Sequence, residues 1–183
     1  MRLVMLGGPG AGKGTQANTL NQTLQIPVIS TGGILREAIA VKTPLGLEAE
    51  PYVTNGELIP DMTMIEFMRS RLLQADMKGG WILEGYPRTA FQAEELDFLL
   101  EDLGQPLDGA IYLQISETTM MQRSLARSLW DDQPEIIEKR IESFREKTIP
   151  LLEYYEGKKT LLTLSAEASP EQVKALILEM IQH

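Results

Sequence analysis

Short, nearly continuous apolar runs alternate along the chain with longer stretches in which apolar side chains recur every three or four residues. The runs fall at residues 3–6, 26–29, 81–83, 110–115 and 161–164. Runs this short, apolar on both faces, predict buried strands. A helix is expected from near Lys13 through Gln16, Leu20 and Leu24. Met64, Ile65, Met68 and Leu72 mark another, and Leu96, Leu99 and Leu100 a third. The methionines at 62–68 read as core packing or adaptable surface. From Ile136 through Ile141, Phe144 and Leu151 to Tyr155 the spacing predicts one long amphipathic helix, kinked at Pro150. Ser169-Pro170-Glu171 is the start signal of a last helix carrying Val173, Leu176, Ile177 and Met180. Buried strands separated by helices predict an α/β fold, a five-stranded parallel sheet with helices on both faces.

Two segments fit this pattern less well. Residues 31–60 hold helix-like pieces broken by Pro44, Pro51, Gly56 and Pro60, and residues 128–134 form a short break between two helices. In an open α/β sheet, segments beyond the strand C-termini are where ligands are gripped.

A length of 183 residues suits one domain, and an apolar content of 43% suffices for a sizeable core. The net charge of −9, without a Lys/Arg run, argues against a nucleic-acid partner. It leaves room for phosphorylated ligands, because a few placed arginines and backbone N–H groups make a local positive site. The chain has no cysteine, which excludes disulfides, thiol catalysis and thiolate metal sites; no structural zinc is expected. Its one histidine, His183, is the last residue and reads as a solvated chain end. No stretch approaches the length of a membrane span and no leader-like segment opens the chain, so a cytoplasmic protein without a membrane partner is expected. Chemistry then falls to Lys, Arg, Asp, Glu, hydroxyls or the backbone.

Gly7-Gly8-Pro9-Gly10-Ala11-Gly12-Lys13 has the G-x-x-x-x-G-K spacing of a phosphate-binding loop, with a strand before it and a helix after. Glycines let successive N–H groups converge on phosphate oxygens, and the helix N-terminus adds partial positive charge. Lys13 would reach the β- and γ-phosphates. The bland alternative is a Gly-rich strand–helix turn with an exposed lysine. Gly14 follows the lysine and the hydroxyl comes one residue later, at Thr15, which leaves direct Mg²⁺ ligation by Thr15 open.

Residues 7–15, GGPGAGKGT, resemble the phosphate loop of the adenylate kinase family. The resemblance continues through Ser30-Thr31-Gly32 with Leu35-Arg36, through Gly56-Glu57-Leu58-Ile59-Pro60-Asp61, and through Glu84-Gly85-Tyr86-Pro87-Arg88-Thr89 with Gln92. It ends on Asp131-Asp132 with Lys139-Arg140. Five matches in order along the chain are specific where one would not be. The resemblance implies a P-loop NTPase-type sheet, an AMP-binding insertion at 31–60 and a very short lid at 128–134. It implies transfer of a phosphoryl group from MgATP to AMP, giving ADP, by a monomer. ATP is implied at Gly8, Pro9, Gly10, Ala11, Gly12, Lys13, Gly14 and Thr15, with Arg123 stacked on its adenine. AMP is implied at Thr31, Arg36, Glu57, Leu58, Ile59, Gly85, Arg88 and Gln92. Of these, Arg36 and Arg88 would hold the phosphate, and Thr31 and Gln92 would face the base. Lys13, Arg88, Arg127 and Arg140 are implied as the catalytic set. Mg²⁺ would come with ATP, touched by Glu84 through water at most. Phosphoryl transfer has little covalent chemistry for a protein to perform, so positioning and cations suffice.

Taken alone, these residues have plainer readings. Arg36 suits a solvated helix charge, Arg123, Arg127 and Arg140 suit helix-surface charges with partners four residues away, Lys139 suits solvent, and Asp131-Asp132 suit a helix break or cap. The chain also departs from the family pattern. Gly33 and Glu84 each stand where the family usually has Asp, and Leu129 stands where it has Arg. A phosphate-binding guanidinium is thereby lost from the lid, unless Arg127 fills the gap. These departures keep two alternatives open: a kinase for another nucleoside monophosphate, and a nucleotide-binding regulatory protein with weakened catalysis.

Overall fold

The computed structural model describes residues 1–182; His183 lies outside the described residues. In chain order the elements are β1 (Arg2–Leu6), α1 (Lys13–Leu24), β2 (Val28–Ser30), α2 (Thr31–Ala40), α3 (Pro44–Asn55), α4 (Asp61–Leu72), β3 (Trp81–Glu84), α5 (Ala90–Asp102), β4 (Gly109–Gln114), α6 (Glu117–Arg127), α7 (Pro134–Ser143), α8 (Ile149–Gly157), β5 (Leu161–Ser165) and α9 (Pro170–Ile181). The five strands run parallel in the order β2-β3-β1-β4-β5. This is the expected α/β fold. Residues 3–6, 81–83 and 110–113 are buried throughout, because helices cover both faces of the sheet. The chain turns to opposite sides of β1, so the loop after β1 opens at the crevice where such sheets bind ligands.

Several elements differ from their expected form for local reasons. The second strand begins at Val28, not at Ile26. Pro27 has no N–H to give the ladder, and only its carbonyl is used, by the Ile82 amide at 2.9 Å. The 31–60 segment is a helical hairpin, α2 and α3, leading into α4. Pro44 opens α3 in its first turn, and the Thr43 hydroxyl caps it by accepting from the Gly46 amide. Pro51 does not break this helix. Pro51 and Leu47, whose carbonyl loses its partner, are both exposed, so solvent can replace the missing bond. Gly56 ends α3 at φ 73° and lies so close to α7 that a Cβ there would stand 2.8 Å from the Ile136 carbonyl oxygen.

The single long helix expected over 136–155 is two helices joined by a π-helical turn, Phe144–Thr148. Pro150 sits in the first turn of α8, where its missing N–H is harmless, and the irregularity falls just ahead of it. The last helix starts as its sequence signal indicates, with a reciprocal capping box between Ser169 and Gln172. Of the methionines at 62–68, Met64 and Met68 are buried in the core and Met62 is exposed.

Candidate active site

All five strands point their C-termini to the same edge of the sheet. There the segments after all five strands enclose one cavity of about 640 Å³. The loop after β1 forms part of its wall. Gly10 is required for close approach: at φ 72° it would place a Cβ 2.8 Å from the Met120 carbonyl oxygen of α6. Helix α1 opens on Gly12 with no side-chain cap, so its first N–H groups stay available to an anion. Lys13 Nζ donates to the carbonyl oxygens of Gly7 and Gly8, both at 2.8 Å. Burial lowers the lysine to about 8; Glu84 opposes that shift, and the charges of Arg88 and Arg127 add to it.

Five arginines line the cavity: Arg36, Arg88, Arg123, Arg127 and Arg140. Three of them converge on two buried carboxylates. Arg140 donates to Asp131 and lies 3.3 Å from Asp132, and Arg36 stands 3.6 Å from Asp131. Arg127 holds Asp132 with both edges of its fork, at 2.9 and 2.6 Å, while the Leu129 amide donates to the same carboxylate at 3.1 Å. Burial alone would raise Asp132. The Arg127 and Leu129 hydrogen bonds and the charges of Arg127 and Arg140 outweigh it and hold the carboxyl below its usual range. Asp131 and Asp132 therefore do more than break or cap a helix: they anchor the 128–134 connector to three guanidiniums drawn from α2, α6 and α7. Arg36 is correspondingly not a free solvated charge. Arg123 bonds the Ala166 and Glu167 carbonyl oxygens at 2.8 and 3.1 Å, which ties α6 to the segment after β5. Lys139 is exposed, as expected.

Arg88 follows the end of β3 and donates through Nε to the Gly85 carbonyl oxygen at 3.0 Å. Burial lowers its pKa, with Glu84 opposing and the Arg140 and Arg36 charges adding to the shift. Glu84 itself accepts from the Ser30 hydroxyl at 2.7 Å. Thr31 is buried with its hydroxyl unpartnered, on the cavity wall. Gln92 is buried with its amide held at both ends: Oε1 accepts from the Arg88 N–H at 2.8 Å, and Nε2 donates to Asp61 Oδ1 at 2.8 Å.

The cavity brings together nearly every residue singled out from sequence. Pro9, Gly10, Ala11, Gly12, Lys13, Gly14 and Thr15 line it, as do Glu57, Leu58, Ile59, Glu84 and Gly85. Gly8 does not. It is buried against Met120, whose Sδ would lie 2.4 Å from a Cβ at that position. Leu129 and Gly33 are not on the wall either. Sequence reasoning missed Ala166, Ala168 and Pro170, although a position just past a strand C-terminus was signal enough. It also missed Ser143, at the end of α7, and Phe144 and Thr148 of the π-helical turn, a distortion common at functional sites. Thr148 Oγ1 donates to the Arg88 carbonyl oxygen at 3.0 Å. Among the described residues no three acidic or histidine side chains gather as a metal site.

A parallel five-stranded sheet with a phosphate loop after its central strand, opening on a cavity ringed with arginine, is the architecture of a P-loop kinase. Comparison with known proteins narrows the class. The family model described as adenylate kinase matches residues 5–160. "Adenylate kinase 2" of Synechocystis sp. is 66% identical over 178 residues, 97% of this chain and 98% of its own. "Adenylate kinase 2" of Nostoc sp. is 58% identical over 99% and 98% of the two chains, and "Adenylate kinase" of Corynebacterium glutamicum is 42% identical over 99% of both. The chain belongs to the adenylate kinase family.

Proposed function

We propose that this chain transfers the γ-phosphoryl group of MgATP to AMP, giving two ADP, and catalyses the reverse reaction. The observation that carries the reading is the single cavity in which the phosphate loop, Lys13 and the guanidiniums of Arg36, Arg88, Arg127 and Arg140 meet. The free N–H groups of α1 and the loop hold the donor phosphates, and Lys13 turns from the Gly7 and Gly8 carbonyls to the β- and γ-phosphates. Arg123 lies beside the donor adenine. Arg36 and Arg88 grip the AMP phosphate, whose charge suits a bidentate fork. The AMP base lies among Thr31, Gln92 and residues 57–59, with Gly85 giving it room. The 31–60 segment is thus an AMP-binding insertion, and 128–134 a truncated lid.

An AMP phosphate oxygen attacks the γ-phosphorus as the bond to the β-phosphate oxygen breaks. The attacking oxygen is already ionised, so no general base is needed. Arg127 and Arg140, fixed by Asp132 and Asp131, meet the charge that spreads over the transferring group. Closure around both nucleotides keeps water from the γ-phosphorus. Glu84 and Thr15 supply hard oxygen donors beside the loop, a set that suits Mg²⁺. Bound with ATP, Mg²⁺ would neutralise phosphate charge, and Glu84 would help hold it.

The same reading makes the protein a cytoplasmic monomer acting on ATP, AMP and ADP. Among the described residues no helix is long and apolar enough to cross a membrane. The test is a coupled ADP-formation assay with ATP, Mg²⁺ and each nucleoside monophosphate in turn. AMP is expected to be used far better than the others. Preference for a different monophosphate would move the reading to that acceptor, and turnover with none would overturn it.

A further inference from the structure

We infer that Asp61 is a specificity-determining residue, which discriminates adenine from bases of the opposite hydrogen-bonding pattern by locking the orientation of the Gln92 amide. The inference rests on the reading that Gln92 faces the base of the acceptor nucleotide. A primary amide presents a donor on one side and an acceptor on the other, and a rotation of about 180° exchanges them. A free glutamine is therefore a poor judge of a base edge. Turned one way, it matches adenine, which offers an amino donor beside a ring-nitrogen acceptor. Turned the other way, it matches hypoxanthine or guanine, which offer a carbonyl acceptor beside a ring N–H donor.

Gln92 is not free. On one side the Arg88 backbone N–H, which can only donate, holds Oε1 at 2.8 Å. On the other the Asp61 carboxylate, which can only accept, holds Nε2 at 2.8 Å. A turned amide would set N–H against N–H and oxygen against carboxylate, inside a buried site. Each remaining group on the amide, one N–H and one lone pair, then faces the cavity in a fixed sense. Asp61 is itself held in place. It is the first residue of α4, and Oδ1 also accepts from the Thr89 hydroxyl at 3.2 Å, the group that caps α5 by accepting from the Gln92 backbone N–H. The lock thus joins the starts of two helices that pack together.

The test compares AMP with IMP as acceptors. Hypoxanthine has the opposite edge pattern and lacks the extra amino group of guanine, so size does not confuse the comparison. In Asp61→Asn the side chain keeps its shape but can accept or donate, so the carboxylate half of the lock opens. The ratio of kcat/KM for AMP over IMP is expected to fall about tenfold or more, the scale of a charge-assisted hydrogen bond, with IMP use rising in absolute terms. Asp61→Glu, which keeps the carboxylate, should retain more of the preference. In a Gln92→Leu background, Asp61→Asn should leave the ratio where Gln92→Leu alone puts it. A purely structural role would lower use of AMP and IMP in parallel, and an unchanged ratio in Asp61→Asn overturns the lock. If Gln92→Leu alone leaves the ratio unchanged, it is instead the placing of the base at Gln92 that fails. Should Asp61→Asn not fold, the native enzyme decides by NMR with ¹⁵N-labelled glutamine. One Gln92 side-chain N–H proton shifted from the free-glutamine position and protected from exchange supports the lock; a side-chain amide with both protons at free-glutamine shifts and exchanging rapidly overturns it.

Discussion

Lys13 concentrates the chemistry at the residue scale. Its ammonium is lowered to about 8 chiefly by burial, against an ordinary 10.5. In the free protein it is therefore about half neutral near pH 8 and neutral well above it. Phosphates bound beside it favour the charged form and raise its pKa again. It follows that ATP binding near pH 8 takes up protons, and that ATP affinity falls as pH rises through that value. Calorimetry in buffers of different ionisation enthalpy reads the uptake directly, and binding heats independent of buffer at pH 8 would contradict it. Lys13→Ala should nearly abolish turnover while the fold survives, because the side chain lines the cavity and lies outside the hydrophobic core. Arg88→Ala should mainly raise the KM for AMP and lower kcat, and Arg88→Lys should rescue little, since an ammonium cannot copy the guanidinium fork. A loss confined to ATP affinity would remove Arg88 from the acceptor site. Much of this was legible from residue types: a lysine after a glycine loop and an arginine after a strand end announce phosphate. The partners of these groups were not legible. Nothing in sequence shows that Asp61 and Gln92, thirty-one positions apart, share a hydrogen bond, or that the Arg88 carbonyl is held by Thr148.

The connector between α6 and α7 carries the largest departure from the family pattern, and its consequences appear at the scale of elements. Its anchors are buried: removing one member of a buried ion pair strands the other, at a cost of about 3–5 kcal/mol. Asp132→Ala leaves Arg127 and the Leu129 N–H without their acceptor, while Arg140 keeps Asp131. Because Arg127 is partly exposed and can be solvated, the loss in denaturant titration should be smaller, about 1–3 kcal/mol. Asp132 is held below its usual range, so its contribution is present at neutral pH and lost as pH falls through its depressed folded pKa. An acid-unfolding midpoint unchanged in Asp132→Asn would contradict this. With Leu129 in place of a guanidinium, Arg127 should carry unusual catalytic weight. Arg127→Ala is expected to lower kcat far more than it raises the KM for ATP, and Leu129→Arg to raise kcat. A silent Arg127→Ala would hand that work to Arg123 and Arg140. Helix α2 offers a gentler test. Gly33 lies three residues past the N-cap Ser30, and a Cβ there meets only Ser30, at 3.4 Å and beyond. Gly33→Ala should therefore stabilise by up to about 1 kcal/mol and raise the Tm by about 2–4 °C. The helix pattern itself was readable wherever apolar spacing was regular. It failed at Pro51, where exposure makes a missing hydrogen bond tolerable, and at Phe144–Thr148, where the irregularity falls as a π-helical turn just ahead of Pro150 and splits the helix in two.

Across the whole molecule, one edge of a parallel sheet gathers groups from nearly the full length of the chain, from Met5 to Val173. That convergence follows from topology: parallel strands put every βα connection at the same edge. Strand count, strand type and the place of the phosphate loop were all readable from apolar runs and glycine spacing, because burial on both faces leaves a plain signal. The encirclement of the cavity by Arg36, Arg127 and Arg140 on shared carboxylates was not, since it depends on how α2, α6 and α7 meet. The shared carboxylates also let cations crowd together before any anion arrives, so the cavity is prepared for negatively charged ligands. The central claim is that both nucleotides react inside this one cavity without water taking part. The most direct measurement supplies the purified protein with MgADP alone and follows the products by ³¹P NMR. ATP and AMP should appear in equal amounts as ADP declines, with no inorganic phosphate. ADP that stays unchanged, or that yields AMP with inorganic phosphate and no ATP, would contradict the account.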